Sequence, residues 1–196
     1  TMRPSILLVL FDDLRTMNSS ALPLHMPRLA AIAREGTTYA LAVANYPVCA
    51  PSRTMLLTGR LLPHWYEART VEALSDSTLT HHFRRSGYAT YAAGKVFDGA
   101  LEGSWTDSLE FDARLTKCRD ARSERRNEPA CAPVDETVDA HASKWLSDRI
   151  RSHNTGPFLA AFGLRRPHAP WEYAQRNYEE KPLPLSKTFP RDAPLV

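Results

Sequence analysis

Continuous apolar runs alternate with amphipathic stretches along this chain, and each kind predicts its own element. Ser5-Ile6-Leu7-Leu8-Val9-Leu10-Phe11 is apolar after its serine and ends in Asp12-Asp13. An unbroken run of this sort suits a central strand of a parallel sheet, buried on both faces. From Pro27 to Glu35 the pattern changes to a helical period, with Leu29, Ala30, Ile32 and Ala33 on one side and Gly36 as a stop. Thr37 to Ala44 reads as a second strand, leading through Asn45-Tyr46-Pro47 to Cys49. Beyond it Pro51 suits the first turn of a helix, where a missing N–H costs nothing. Met55, Leu56 and Leu57 supply that helix with apolar contacts. Leu79 to Ser86 is an amphipathic helix halted by Gly87, and Tyr88 to Gly94 a strand ending at Lys95. Asp135 to His153 is a long helix whose apolar face is Val138, Ala142, Trp145, Leu146 and Ile150. Pro157 to Gly163 is another buried strand, running on into Leu164-Arg165-Arg166-Pro167-His168-Ala169-Pro170-Trp171. Strand, turn and helix in this order predict an α/β layered domain with a largely parallel sheet.

The remaining stretches predict no regular element. Leu61 to Ser77 is a loop carrying His64, Trp65 and Tyr66, either a substrate wall or cover for the core edge. Residues 102–133 form a polar surface excursion with Arg119, Arg122, Arg125 and Arg126, and residues 172–196 a proline-rich end segment. Those arginines fit a sulfated polysaccharide or, more plainly, a solvated loop.

Size and composition narrow the picture only a little. A chain of 196 residues fits one domain, 1–196, and can bury a core. Its hydrophobic share is 43%, its charged share 24% and its net charge +3. So mild a charge permits anionic substrates but gives no argument for nucleic acid, because basic and acidic residues are interspersed. No stretch is long and apolar enough to cross a bilayer. Ser5 to Phe11 is too short for a signal-peptide core with its flanks. Cys118 and Cys131 flank the arginine-rich excursion while Cys49 stands apart, which suggests one bridge and one special thiol. A bridged loop argues for an oxidising compartment; two surface thiols in a cytosolic protein are the alternative.

Candidate chemistry gathers where predicted strands end. In open α/β sheets ligands collect at the carboxyl ends of strands. Asp12 and Asp13 are adjacent carboxylates at such an end, costly by mutual repulsion unless a cation or donors sit there. Hard oxygen ligands of this kind suit calcium or magnesium; a turn cap and a solvated carboxylate are the plainer reading. Cys49 falls at a helix N-terminus, which favours an anion and a reactive thiol. Arg53, one turn along, brings a fork-shaped cation to the same end. A structural cysteine before a helix is the alternative. Lys95 follows a strand, as many solvated lysines do. His168, between prolines past another strand, has a stiff backbone suited to a proton donor or an anion ligand, or is simply a loop histidine.

Cys49-Ala50-Pro51-Ser52-Arg53 with Thr58-Gly59-Arg60 resembles the C-x-P-S-R…T-G-R signature of the type I sulfatases. Asp12-Asp13-Leu14-Arg15 after a hydrophobic strand resembles the way that family opens, most closely its iduronate-2-sulfatase branch. Gly87-Tyr88-Ala89-Thr90 through Gly94-Lys95 resembles its G-Y-x-T…G-K motif, and Arg166-Pro167-His168-Ala169-Pro170 its K-P-H-x-P motif. Cys131-Ala132-Pro133-Val134-Asp135 resembles the bridged loop of the same branch. The resemblance implies an alkaline-phosphatase-like sulfatase fold, a mostly parallel central sheet flanked by helices, covered in its N-terminal part. It implies a sulfuric ester hydrolase acting on a sulfated sugar. Cys49 would be oxidised to formylglycine by the formylglycine-generating enzyme, and its hydrated aldehyde would be the nucleophile. Asp12 and Asp13, with the modified Cys49, would hold one calcium ion. Arg53 would hold the nucleophile's oxygens, and Lys95 and His168 would contact the sulfate. Such a protein is expected in the secretory pathway, lysosomal or extracellular or periplasmic.

Departures from the pattern shape the expectation. Where the branch places a histidine past the lysine, this chain has Asp98, and an ionised carboxylate cannot donate to a sulfate oxygen. Met26-Pro27-Arg28 replaces the usual T-P-N-like turn. Asn18-Ser19-Ser20 fits a glycosylation triplet that also occurs by chance. Family members are more than twice as long and supply further metal ligands later, so a fragment of a longer enzyme or a short homologue is expected. Two alternatives therefore stand beside the sulfatase. One is a truncated, inactive relative serving as a binding module. The other is a phosphatase or phosphodiesterase of the same superfamily, against which the cysteine counts, since those enzymes generally use Ser or Thr.

Overall fold

The computed structural model describes residues 3–14, 26–61, 76–97, 103–110 and 137–168. The chain divides into two compact units. One is Thr1–Leu14 with Val43–Ala174; the other is Arg15–Ala42 with Gln175–Val196. Several sequence expectations lie outside the described residues: the Cys118–Cys131 bridge with its arginines, Asp98, His64-Trp65-Tyr66, the Asn18 triplet and residues 172–196.

In the first unit, strands β1 (Ile6–Asp12), β2 (Ala89–Gly94), β3 (Asp107–Glu110) and β4 (Phe158–Pro167) form one parallel sheet in the order β1-β4-β2-β3. The paired middle strands are rich in small residues. Ala92, Ala93, Ala160 and Ala161 are buried, and Gly94 lies opposite Gly163. Alternation sends Ala93 and Ala160 to one face and Ala92 and Ala161 to the other. Helix α4 (Val138–Ser152) covers the first face with Ala142 and Leu146, helped by Trp145 and Ile150. On the second face Ala92, Val96 and Ala161 pack with Leu8, Leu10 and Trp105. Leu57 of helix α2 (Cys49–Thr58) continues that packing through Phe97 and Trp105.

Helix ends follow their local chemistry. Thr137 caps α4 by accepting from the Ala140 amide at 3.2 Å, and Thr78 caps helix α3 (Leu79–Arg85) by accepting from His81 at 3.2 Å. Gly59 ends α2 with φ 67°, a left-handed conformation that glycine adopts without steric cost. On α4's solvent side, Lys144 donates to Asp148 at 2.9 Å and holds that carboxyl below the usual carboxylate range.

In the second unit, helix α1 (Pro27–Glu35) spans the expected residues, with proline in its first turn and Gly36 at its end. Leu29, Ala30 and Ala33 are half-buried, but Ile32, expected beside them, is 67% exposed.

The structure corrects the sequence reading at several points. The first strand was expected at the centre of the sheet. Among the described residues β1 pairs only with β4 and forms the edge, leaving Leu7 57% and Val9 39% exposed. Helix α4 packs mainly on β2 and β4, so its core contacts do not cover those side chains of β1. Thr37–Ala44 forms no strand; its residues are exposed and irregular, although β-branched side chains favour a strand there. Conversely, Asp107–Glu110, expected within the surface excursion, forms β3 against β2, and Ser104 before it is fully buried. The Ser104 carbonyl accepts from Thr90 at 2.9 Å, a pairing no periodicity could show.

Gly163 is where the middle strands come closest. A Cβ there would fall on the Lys95 carbonyl and the Val96 amide nitrogen, both backbone atoms that cannot swing aside. Gly163→Ala is therefore expected to cost about 1–3 kcal/mol or more, as overpacking does. The measurement is the urea midpoint, and an unchanged midpoint would contradict the close approach.

Candidate active site

Three strand ends and one helix start converge on Asp12. Register shifts between Phe11 and Asp12: Phe11 pairs with Leu164 but Asp12 with Pro167, so Arg165 and Arg166 are additional residues on β4. Bulges of this kind bend a strand and re-aim its side chains, and they recur beside active sites. Here Asp12 ends up 3% exposed, with one cation on each carboxylate oxygen. Lys95 Nζ donates to Oδ2 at 2.8 Å, and Arg53 Nη2 stands 3.3 Å from Oδ1. Arg53 also donates through Nη1 to the carbonyls of Lys95 and, at 3.2 Å, Val96. Lys95 in turn donates its amide to the Gly163 carbonyl at 2.7 Å. Both cations are buried. Asp12 offsets one of the two buried cations, and Asp13 brings a second carboxylate to the same cavity wall.

Cys49 is the first residue of α2 and half-buried. Val48 before it makes no side-chain cap to the first amides of the helix. That end opens on a cavity of 320 Å³, lined among others by Cys49, Ser52, Arg53, Asp12, Asp13 and Tyr46. Asp13 has φ 60°, the left-handed region, which Asp tolerates better than most residues. Its side chain is 64% exposed and lies 3.8 Å from His168 Nε2. The structure thus brings Asp12, Asp13, Cys49, Arg53, Lys95 and His168 to one place. Cys49, Arg53, Asp12 and Asp13 share the cavity wall, Lys95 reaches it through Asp12, and His168 through Asp13.

One residue of this neighbourhood escaped the sequence reading. Asp139, in the first turn of α4 and 8% exposed, accepts from the amides of Arg165 at 2.9 Å and Arg166 at 3.0 Å, one on each oxygen. An acid after the Thr137 cap signals a helix start and nothing more; its partnership with a distant strand end is tertiary.

Asp12 and Asp13 are hard oxygen donors of the type calcium or magnesium takes. Among the described residues, however, they belong to no cluster of three or more His, Cys, Asp or Glu able to hold a metal ion. The donor set is right in kind and partial in number. Among the described residues no helix is long and apolar enough to cross a membrane.

Fold and site together define an α/β enzyme-like domain with an anion-directed pocket at its strand ends. Sequence comparison gives that class its family: the Sulfatase profile matches residues 4–183, and the chain belongs to the Sulfatase family. Human iduronate 2-sulfatase is 24% identical over 91% of this chain and 38% of its own length. Human N-acetylglucosamine-6-sulfatase is 26% identical over 96% of this chain and 39% of its own. A choline-sulfatase of Rhizobium meliloti is 32% identical over 59% of this chain. The chain thus spans well under half the length of the two human relatives. Among solved structures, the phosphonate monoester hydrolase of Agrobacterium radiobacter superposes with TM-score 0.63 at 17% identity, covering 88% of this chain and 43% of that one. A protein solved in complex with its substrate D-glucosamine-2-N,6-O-disulfate superposes with TM-score 0.64 at 16% identity, covering 93% of this chain and 39% of that one. The architecture is the alkaline-phosphatase-like sulfatase fold, with a parallel sheet and flanking helices.

Asp12→Asn should leave two buried cations without their counter-charge. Breaking a buried pair on one side costs roughly 3–5 kcal/mol. Chemical denaturation of the variant is expected to show a loss of that order. Unchanged stability would mean that Asp12 does not join Lys95 to Arg53.

Proposed function

We propose that this chain carries the N-terminal catalytic part of a sulfuric ester hydrolase acting on a sulfated carbohydrate, of the iduronate-2-sulfatase type. The observation that carries the reading is the placement of Cys49 at the start of α2, in one cavity wall with Asp12, Asp13 and Arg53. A helix N-terminus beside a buried cationic cluster suits a tetrahedral anion, and a cysteine in that position suits conversion to formylglycine by the formylglycine-generating enzyme. Formylglycine supplies a hydrated aldehyde as nucleophile, and a calcium ion held in part by Asp12 and Asp13 supplies polarisation of the ester.

This chain's own residues then divide the work. Arg53 holds the nucleophile's oxygens against α2. Lys95, anchored by Asp12, balances negative charge on the sulfate. His168, backed by Asp13, stands where a leaving alcohol takes its proton. The reading carries with it a secretory location, lysosomal or extracellular or periplasmic, and a bridge between Cys118 and Cys131 in that oxidising setting.

A second reading has a specific observation behind it. Asp12 already neutralises part of two buried cations, and the described residues complete no metal cluster. On that footing the chain would be an inactive relative that binds sulfated carbohydrate without cleaving it. A phosphatase or phosphodiesterase of the same superfamily is less favoured, because Cys49 stands at the nucleophile's position.

The deciding experiment is mass spectrometry of the Cys49 peptide from protein made in a host that produces formylglycine. An aldehyde in place of the thiol is expected. An unmodified thiol would favour the binding module. With the aldehyde present, His168→Ala is expected to cut sulfate-ester turnover by roughly 10²–10³, the scale for losing one transition-state donor. Equal turnover would remove His168 from the site.

A further inference from the structure

His168 is proposed to act at the sulfate, and its place depends on how the segment before it is held. It follows two residues, Arg165 and Arg166, that interrupt the register between β1 and β4. Resting on the role proposed for His168, we infer that Asp139 is a positioning residue. Its carboxylate fixes the Arg165–Arg166 bulge and so sets His168 beside Asp13.

Each link is a contact. Asp139 Oδ1 accepts from the Arg165 amide at 2.9 Å and Oδ2 from the Arg166 amide at 3.0 Å. Consecutive amides bound to both oxygens of one carboxylate fix the peptide plane between them as well as its place. Bonds to an ionised acceptor are roughly twice as strong as neutral ones. From that fixed plane two bonds reach His168: its amide donates to the Arg165 carbonyl at 2.9 Å, and Arg166 Nη1 donates to its carbonyl at 2.6 Å. The imidazole then lies 3.8 Å from Asp13.

Asp139 is itself held rigidly. It sits in the first turn of α4, whose dipole favours a carboxylate there. Two residues along the helix in either direction, Thr137 caps it and His141 donates its amide back to the Thr137 carbonyl at 3.1 Å. The helix is fixed to β2 and β4 by Ala142 and Leu146. The core packing of α4 therefore sets the position of a side chain on the opposite side of the bulge. A misplacement of about 1 Å costs about 10²-fold in well-oriented reactions, which is why a residue off the cavity wall can matter here.

The test compares two variants of the full chain, one at Asp139 and one in a helix that does not hold the bulge. The His168 ring resonance is assigned by its loss in His168→Ala, then followed as inorganic sulfate is added. Asp139→Asn keeps the size but turns an amide N–H₂ toward one backbone N–H. It is expected to move the His168 resonance toward that of an unstructured peptide and to weaken its response to sulfate at least tenfold. Thr80→Ala removes a buried hydroxyl of α3 that pairs with Thr78, touching neither α4 nor the bulge, and is expected to lower Tm while leaving both readouts in place. The inference is overturned if Asp139→Asn leaves the resonance where it was, or if Thr80→Ala shifts it equally. Should Asp139→Asn fail to fold, Asp139→Ser, which retains one acceptor, takes its place with the same readouts. A wild-type His168 indifferent to sulfate would sink its proposed role, while the resonance comparison would still decide the positioning.

Discussion

Asp12 holds this site together because its carboxylate is buried and cannot be left alone there. Withdrawing a carboxylate from water costs several kcal/mol, and it is tolerable only with good geometry on its oxygens. Lys95 from the end of β2 and Arg53 from α2 provide that geometry. Since Arg53 also binds the Lys95 and Val96 carbonyls, one guanidinium joins the helix that carries Cys49 to the turn that carries Lys95. Three elements distant in sequence are locked by a single charge. The same lock puts two buried cations beside the start of α2. How far they favour an anion there depends on Asp13, whose own negative charge shares the cavity wall.

The lock works only if the strand ends come close enough, and the small residues of the middle strands provide for that. Alanines at the centre of β2 and β4 let α4 sit low on one face, while Gly94 and Gly163 let the Lys95 turn fold back over β4. Larger side chains would bury more apolar surface but would hold Lys95 away from Asp12. Apolar side-chain area is given up at the core so that charged groups can meet at its rim.

Much of this was legible in the sequence because it is local. The run ending in Asp12-Asp13, the helix start at Cys49 and the strand ending at Lys95 each announce themselves within a few residues, and the structure puts them at one place. Three things were not legible. That the first strand lies at the edge of the described sheet depends on the order in which strands pair, which no run of residues records. β3 is four residues inside a polar stretch, held by the hydroxyl contacts of Thr90 with Ser104 and Thr106 rather than by a hydrophobic pattern. Asp139 looks like a helix-start acid, and its work lies across the sheet end. The expected strand at Thr37–Ala44 shows the converse: propensity is present, but among the described residues no strand pairs with it.

The two adjacent carboxylates divide along the same line between fold and chemistry. An ionised carboxylate has about four lone-pair sites, and Lys95 and Arg53 take one direction on each Asp12 oxygen. Capacity remains for a cation approaching from the cavity, so pairing within the fold does not by itself forbid metal binding. Asp13 differs: turned into a left-handed conformation, mostly exposed and set only 3.8 Å from His168, it is free to re-aim. A cation drawn to the pair would find one oxygen donor fixed by buried charges and one able to adjust. Calcium, whose ligand shell is flexible in number and angle, suits such a pair better than magnesium, which demands near-ideal octahedral geometry. Within the proposed function, that difference between Asp12 and Asp13 supports calcium beside the likeness to the family.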